Sequence, residues 1–108
     1  MKLSKVVNAA IFLSFIFFTT GAQAKQIEVQ MKSISYSPKL IAIHSGDSVV
    51  WKNVSYSEHS ASGETFDTSS VEPKHKSKAI LFEKPGTYTY HCKVHGTTMN
   101  GTIKVESK

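Results

Sequence analysis

The chain has few of the residues that usually hold a small domain together. Its 108 residues include one cysteine, three prolines, six glycines and no arginine. A single cysteine cannot form an internal disulfide, although small exported domains commonly depend on disulfides. Without arginine the chain lacks the planar fork that usually reads phosphates and nucleobases. We therefore expect no nucleic-acid partner.

One long apolar run is present, and it lies at the N-terminus. Two lysines precede a nearly unbroken apolar segment of 13 residues from Val6 to Phe18, and Ala22-Gln23-Ala24 follows. This layout is typical of a secretory signal peptide, and the run is too short to span about 30 Å of hydrocarbon as a helix. We therefore expect residues 1–24 to be cleaved off. Residues 25–108 would then form one periplasmic or otherwise exported domain without a membrane span.

The mature domain is small and mildly basic. Removing 24 of the 108 residues leaves 84, with 11 lysines against 8 acidic residues and a net charge of +3. This excess suggests solubility or an acidic protein partner. A lone cysteine in an oxidising compartment is a liability unless something occupies its sulfur, and a bound metal would do so.

Alternating apolar residues predict an all-β fold. No helical period or internal repeat is present, and a turn with proline and glycine lies at 83–86. Short alternating strands at regular spacing favour an antiparallel β-sandwich. The predicted strands are 25–31, 40–43, 49–53, 79–82, 87–92 and 102–106, with one more short strand around Phe66.

Potential metal ligands are concentrated near the C-terminus. Cys92, His95 and Met99 lie within eight residues of one another. A thiolate, an imidazole and a thioether suit copper in an electron-transfer site. The strand alternation points Cys92 into the sandwich, and we expect one tight loop to carry the other two donors.

A second histidine from elsewhere in the chain should complete this set. His44 is on the outward side of its strand, and His75 lies in a lysine-rich loop. His91 alternates with Cys92 and therefore faces the other side of its sheet. His59, which follows a strand and lies among small polar residues, remains as the candidate.

Five motifs follow one another through the chain: residues 46–53 (GDSVVWKN), His59, Phe66-Asp67, residues 82–92 (FEKPGTYTYHC), and His95 with Met99 and Gly101. In this order they resemble the small blue (type 1) copper proteins of the cupredoxin family, such as plastocyanin, pseudoazurin and amicyanin. The resemblance covers nearly all of residues 25–108 and implies a cupredoxin-like Greek-key β-sandwich with one type 1 copper ion. By position, it implies that His59, Cys92 and His95 form a trigonal plane around copper and that Met99 is the weak axial ligand.

The resemblance also implies a role. The protein would be an electron carrier and not an enzyme, a monomer whose redox donor and acceptor dock transiently near His95. Three features differ from common relatives. The His95–Met99 segment is of intermediate length. Val94 stands where many relatives have proline, so its backbone N–H is expected to donate to the Cys92 sulfur and raise the reduction potential. Ser60 stands where relatives often carry asparagine, which predicts a weaker tie between the two ligand loops.

Other interpretations of the same residues remain open. The main alternative is a periplasmic copper carrier or storage protein without an electron-transfer role. A structural zinc site in an adhesion-type sandwich is a third possibility. A Cys–His hydrolase is disfavoured, because no orienting acid or oxyanion loop accompanies the inward-facing thiol.

Overall fold

The computed structural model describes residues 23–108, and the apolar run of the predicted signal peptide lies outside the described residues. No helix within residues 23–108 is long and apolar enough to cross a membrane. Eight strands make up the secondary structure of this part of the chain. They are β1 Gln26–Met31, β2 Tyr36–Ser37, β3 Leu40–His44, β4 Asp47–Asn53, β5 Ser62–Gly63, β6 Ile80–Phe82, β7 Gly86–Cys92 and β8 Gly96–Glu106.

The strands form two four-stranded sheets that pack as a sandwich. One sheet has the order β2-β1-β4-β6 and the other the order β3-β8-β7-β5. The predicted all-β sandwich is confirmed, but its description as antiparallel is wrong for two strand pairs. β1 runs parallel to β4, and β3 runs parallel to β8. The sequence could not distinguish these directions, because side chains alternate with the same period in both.

Apolar side chains from both sheets meet in one core. The alternation in β4 buries Val49 and Trp51, and that in β7 buries Tyr90 and Cys92. The aromatic rings of Trp51 and Tyr90 pack edge to face with centroids 5.4 Å apart, which joins the two sheets. Such aromatic pairs stabilise a core beyond the area that they bury.

Two predicted strands differ from the observed ones. The short strand expected around Phe66 is instead β5 at Ser62–Gly63, while Phe66 packs from the following loop against the core. The last strand begins at Gly96, six residues before the predicted start at 102. Its first residues pair with the end of β7, and threonine and glycine there give no apolar alternation that the sequence could reveal.

A buried carboxylate closes the end of the sandwich where β4 begins. Asp47 accepts the backbone N–H of His44 on Oδ2 and that of Lys25 on Oδ1, both at 2.9 Å. These two hydrogen bonds lower the pKa of Asp47. The carboxylate therefore holds the β3–β4 turn and the start of the first sheet together.

We predict that Asp47→Asn destabilises the fold at neutral pH and that the difference from wild type shrinks in acid. Because the folded-state pKa lies below that of the unfolded chain, the stabilisation is present above about pH 4 and is lost as the pH falls through the folded pKa. Urea unfolding at a series of pH values measures this. Glu28→Gln, which removes an exposed ion pair with Lys76, is the control, with an expected change below about 1 kcal/mol. A difference in unfolding free energy between wild type and Asp47→Asn that stays constant as the pH falls would contradict the prediction.

Candidate metal centre

Three of the four predicted ligands come together at the opposite end of the sandwich. The donor atoms of His59, Cys92 and His95 all lie within 4.8 Å of one another. Cys92 Sγ is 3.7 Å from Nδ1 of His59 and 3.6 Å from Nδ1 of His95. The two imidazole rings are tilted by 40° with centroids 4.8 Å apart, and each contacts the sulfur through its Nδ1 atom.

A tight turn carries Cys92 and His95. Cys92 ends β7 and pairs with Gly96 at the start of β8, so the hairpin turn contains only residues 93–95. Gly96 has a φ of 68°, the left-handed region that glycine adopts without strain. This turn returns the chain within three residues and so brings the His95 ring over the Cys92 sulfur.

His59 reaches the cluster from a loop that is fixed by backbone and side-chain hydrogen bonds. Its N–H and C=O both pair with the backbone of the buried Val71. Behind the ring, Nε2 lies 2.9 Å from Ser55 Oγ, which in turn donates to Asn53 Oδ1 at 2.7 Å. The Asn53 amide donates to the carbonyls of Ser57 and Val71, which fixes its orientation.

This chain of hydrogen bonds selects the His59 tautomer that carries its proton on Nε2. The Ser55 hydroxyl gives its proton to Asn53, so its oxygen accepts the proton of His59 Nε2. Nδ1 then presents a free lone pair toward Cys92. Burial lowers the pKa of His59, and the neighbouring His95 lowers it further. Both effects favour the neutral ring, which is the form that binds metals.

Ser60 connects the two ligand loops. Its backbone N–H donates to Cys92 Sγ at 3.4 Å, and its hydroxyl accepts the backbone N–H of Lys93 at 3.0 Å. A direct tie is therefore present although serine replaces asparagine. Within residues 23–108 the N–H hydrogen-bonded to the sulfur is that of Ser60 and not that of Val94. The expected Val94 donor is therefore wrong for this structure, because the donor comes from the loop that carries His59 and not from the turn at residues 93–95.

Met99 is fully buried and lies in a strand instead of in the expected loop. Gly96 pairs with Cys92, whereas Asn100 pairs with His91, so residues 97–99 form an extra segment on β8 beside the end of β7. Met99 and Cys92 belong to the same buried cluster. The methionine therefore lies beside the sulfur-bearing end of β7, in a segment whose two ends are fixed by strand pairing.

The remaining histidines stay outside the cluster, as the sequence predicted. His44 is exposed and lies 3.9 Å from Glu106, and His75 is exposed in its loop. His91 is half-buried and pairs with Ser62 on the neighbouring strand. Of the three grouped donors, His95 is half-buried while His59 and Cys92 are fully buried, so His95 is nearest to the surface.

The sequence did not reveal that Asn53 and Ser55 support His59. Ser55 lies in a polar segment rich in serine, where it does not differ from its neighbours. The one weak indication in the sequence was Asn53. It is a polar residue at the end of an apolar strand, and a buried polar side chain needs a hydrogen-bond partner.

The donor set fits copper. Two imidazoles and one cysteine sulfur, all buried or half-buried, suit both Cu(II) and Cu(I), and a thioether is the usual weak axial ligand of such a set. Within residues 23–108 no acidic residue joins the group. Hard cations such as Mg²⁺ or Ca²⁺ prefer oxygen donors and would find none in this set.

Comparison with known proteins agrees with this geometry. Residues 6–105 match the family model of the cupredoxin-like domain. No curated protein sequence matches this chain.

Solved structures with the same fold include an oxidised amicyanin variant, 23% identical with a TM-score of 0.68 over 74% of this chain and 81% of that one. A purple cupredoxin from Nitrosopumilus maritimus is 20% identical with a TM-score of 0.67, over 74% and 99% of the two chains. A copper-containing nitrite reductase from Thermus scotoductus is 28% identical with a TM-score of 0.71, over 84% of this chain but 25% of that one. The chain therefore belongs to the cupredoxin-like family of small blue copper proteins, with one copper ion as its cofactor.

Proposed function

We propose that this protein is an exported type 1 copper electron carrier in which His59, Cys92 and His95 bind copper in a plane and Met99 is the axial ligand. The observation that carries the proposal is the convergence of two Nδ1 atoms and one Sγ within 4.8 Å. The copper ion supplies the Cu(II)/Cu(I) couple. The residues supply a pocket whose donors need little rearrangement between the two states.

Support for small rearrangement comes from the way each donor is fixed. The Ser55–Asn53 chain holds the His59 ring from behind, and the three-residue turn limits the movement of His95 relative to Cys92. Ligands fixed by surrounding hydrogen bonds keep their orientation when the metal changes charge. This favours electron transfer over transport of the ion, since a carrier must release its metal.

Electrons would enter and leave through His95. It is the half-exposed donor of the grouped three, and the neighbouring Val94 side chain is 56% exposed. A redox donor and a redox acceptor would dock in turn at this surface. We propose a monomer that carries electrons without catalysing a reaction and has no nucleic-acid partner.

The test of function is to load residues 25–108 with Cu(II). We expect an intense visible absorption from charge transfer between the Cys92 thiolate and copper, and repeated reversible reduction without loss of the metal. Cys92→Ser should lose the band, whereas Ser33→Ala, at an exposed residue outside the cluster, should keep it. A pale protein, one that prefers zinc, or one that gives its copper readily to a chelator would contradict electron transfer. The last result would favour a copper carrier.

Met99→Leu tests the axial assignment. We expect the charge-transfer band to persist and the reduction potential to rise, because Cu(II), the more highly charged state, loses an electron-pair donor. Met31→Leu is the matched control, since Met31 is also fully buried in the core and its replacement should leave the potential unchanged. Equal potentials in the two variants would assign Met99 to the core alone.

We also propose that residues 1–24 are a signal peptide cleaved after Ala24. The backbone nitrogen of Lys25 lies 2.9 Å from Asp47 Oδ1. Cleavage of the Ala24–Lys25 peptide bond would turn the Lys25 nitrogen into the N-terminal ammonium, so the buried carboxylate of Asp47 would gain a charged partner. A charged donor makes a stronger hydrogen bond than a neutral amide, so processing would stabilise the fold.

Expression of the full chain in a host with a secretory pathway tests the cleavage. We expect the exported protein to have the intact mass of residues 25–108. We also expect it to be more stable to urea than a chain that retains Ala24, and Asp47→Asn should remove this difference. An uncleaved protein, or equal stability of the two chains, would contradict the proposed processing or the proposed ion pair, respectively.

A further inference from the structure

Ser60 is the start of a hydrogen-bonded ring that extends away from the metal centre. Its hydroxyl is 2.9 Å from Ser62 Oγ, and the Ser62 hydroxyl donates to Asp67 Oδ1 at 3.0 Å. Asp67 Oδ2 is 2.6 Å from Lys93 Nζ, while the backbone N–H of Lys93 donates to Ser60 Oγ. The ring thus leaves Lys93 by its backbone and returns by its side chain.

The hydrogen bonds in both arms of this ring run from Lys93 to Asp67. Because Ser62 donates to Asp67, it accepts from Ser60, and Ser60 accepts from Lys93. Each bond polarises the next, and the series ends on a carboxylate. Ser60 and Ser62 are 4% and 3% exposed, so the serine part of the ring is shielded from water.

Asp67 is held in place independently of the ring. Its Oδ1 also accepts the backbone N–H of Ser69 at 2.8 Å. The Lys93 ammonium, the Ser69 N–H and the Ser62 hydroxyl together lower the pKa of Asp67. The carboxylate is therefore a fixed negative charge, and its two oxygens act on the two ligand loops.

The geometry points to Asp67 as a positioning residue for the copper centre. Through Ser62 it orients Ser60, whose N–H donates to Cys92 Sγ, and through Lys93 it holds the turn that carries His95. This proposal rests on the proposed ligand set and deepens it. A hydrogen bond to the thiolate withdraws electron density and favours Cu(I), so Asp67 acts on the reduction potential although it does not ligate the metal.

The test replaces Asp67 by Asn, which keeps an oxygen acceptor for Ser62 and Ser69 but removes the charge. In the metal-free protein, exchange of the Ser60 and Lys93 amide hydrogens with D₂O should become about five to ten times faster, since a hydrogen bond contributes about 1 kcal/mol. In the copper form the reduction potential should fall, and copper affinity should decrease about tenfold or more.

Glu64→Gln is the matched control, since it makes the same change of charge at an exposed residue between Ser62 and Asp67. Ser62→Ala and Lys93→Gln interrupt the two sides of the ring separately, and each should shift the potential in the same direction as Asp67→Asn. If Asp67→Asn matches Glu64→Gln in amide exchange, potential and affinity, the proposal is overturned. A loss of unfolding stability with unchanged amide exchange and potential would also overturn it.

The exchange measurement needs no metal, so it separates this proposal from the proposed function. A wild-type protein that fails to form a reversible blue copper site would contradict the function. Faster exchange in Asp67→Asn would still support the ring as the device that orders the two ligand loops.

Discussion

The metal centre depends on a buried sulfur that is approached from two parts of the chain. Cys92 Sγ faces two imidazole nitrogens at 3.6 and 3.7 Å and accepts the backbone N–H of Ser60. A buried thiolate is costly unless it is paired; this N–H offsets part of the cost, and a copper ion bound as proposed would offset the rest. The three-residue turn, the Val71 pairing and the Asn53 chain all keep these atoms in place. The sandwich provides the rigid base for that arrangement.

Two separate hydrogen-bond networks hold the residues around the sulfur in place. The neutral chain from His59 through Ser55 ends on the amide of Asn53, whereas the ring from Ser60 ends on the charged Asp67. The first fixes which nitrogen of the ring is available. The second fixes how much hydrogen bonding the sulfur receives. Ligand orientation and sulfur electronics are therefore controlled by separate residues.

Sequence reasoning could predict the fold class and the grouping of His59, Cys92 and His95, because alternation marks strands and few residue types ligate soft metals. It could not predict that β1 and β4 are parallel, since side chains alternate with the same period of two in parallel and antiparallel strands. It placed Met99 in a loop, because residues 96–98 carry no apolar alternation that would mark the start of β8. The role of Asp67 depends on a folded loop that brings together residues distant in sequence.

The extra segment at residues 97–99 is a position where the length of the chain can change without moving the residues grouped around Cys92. The turn at residues 93–95 has no slack, because Cys92 pairs with Gly96 directly, and an insertion there would pull His95 away from the sulfur. Thr97 and Thr98 are exposed and lie outside the flanking pairs. Residues gained or lost there would leave both pairs intact and change only the approach of Met99. Sequence changes there could thus tune the proposed Met99 ligand independently of His59, Cys92 and His95.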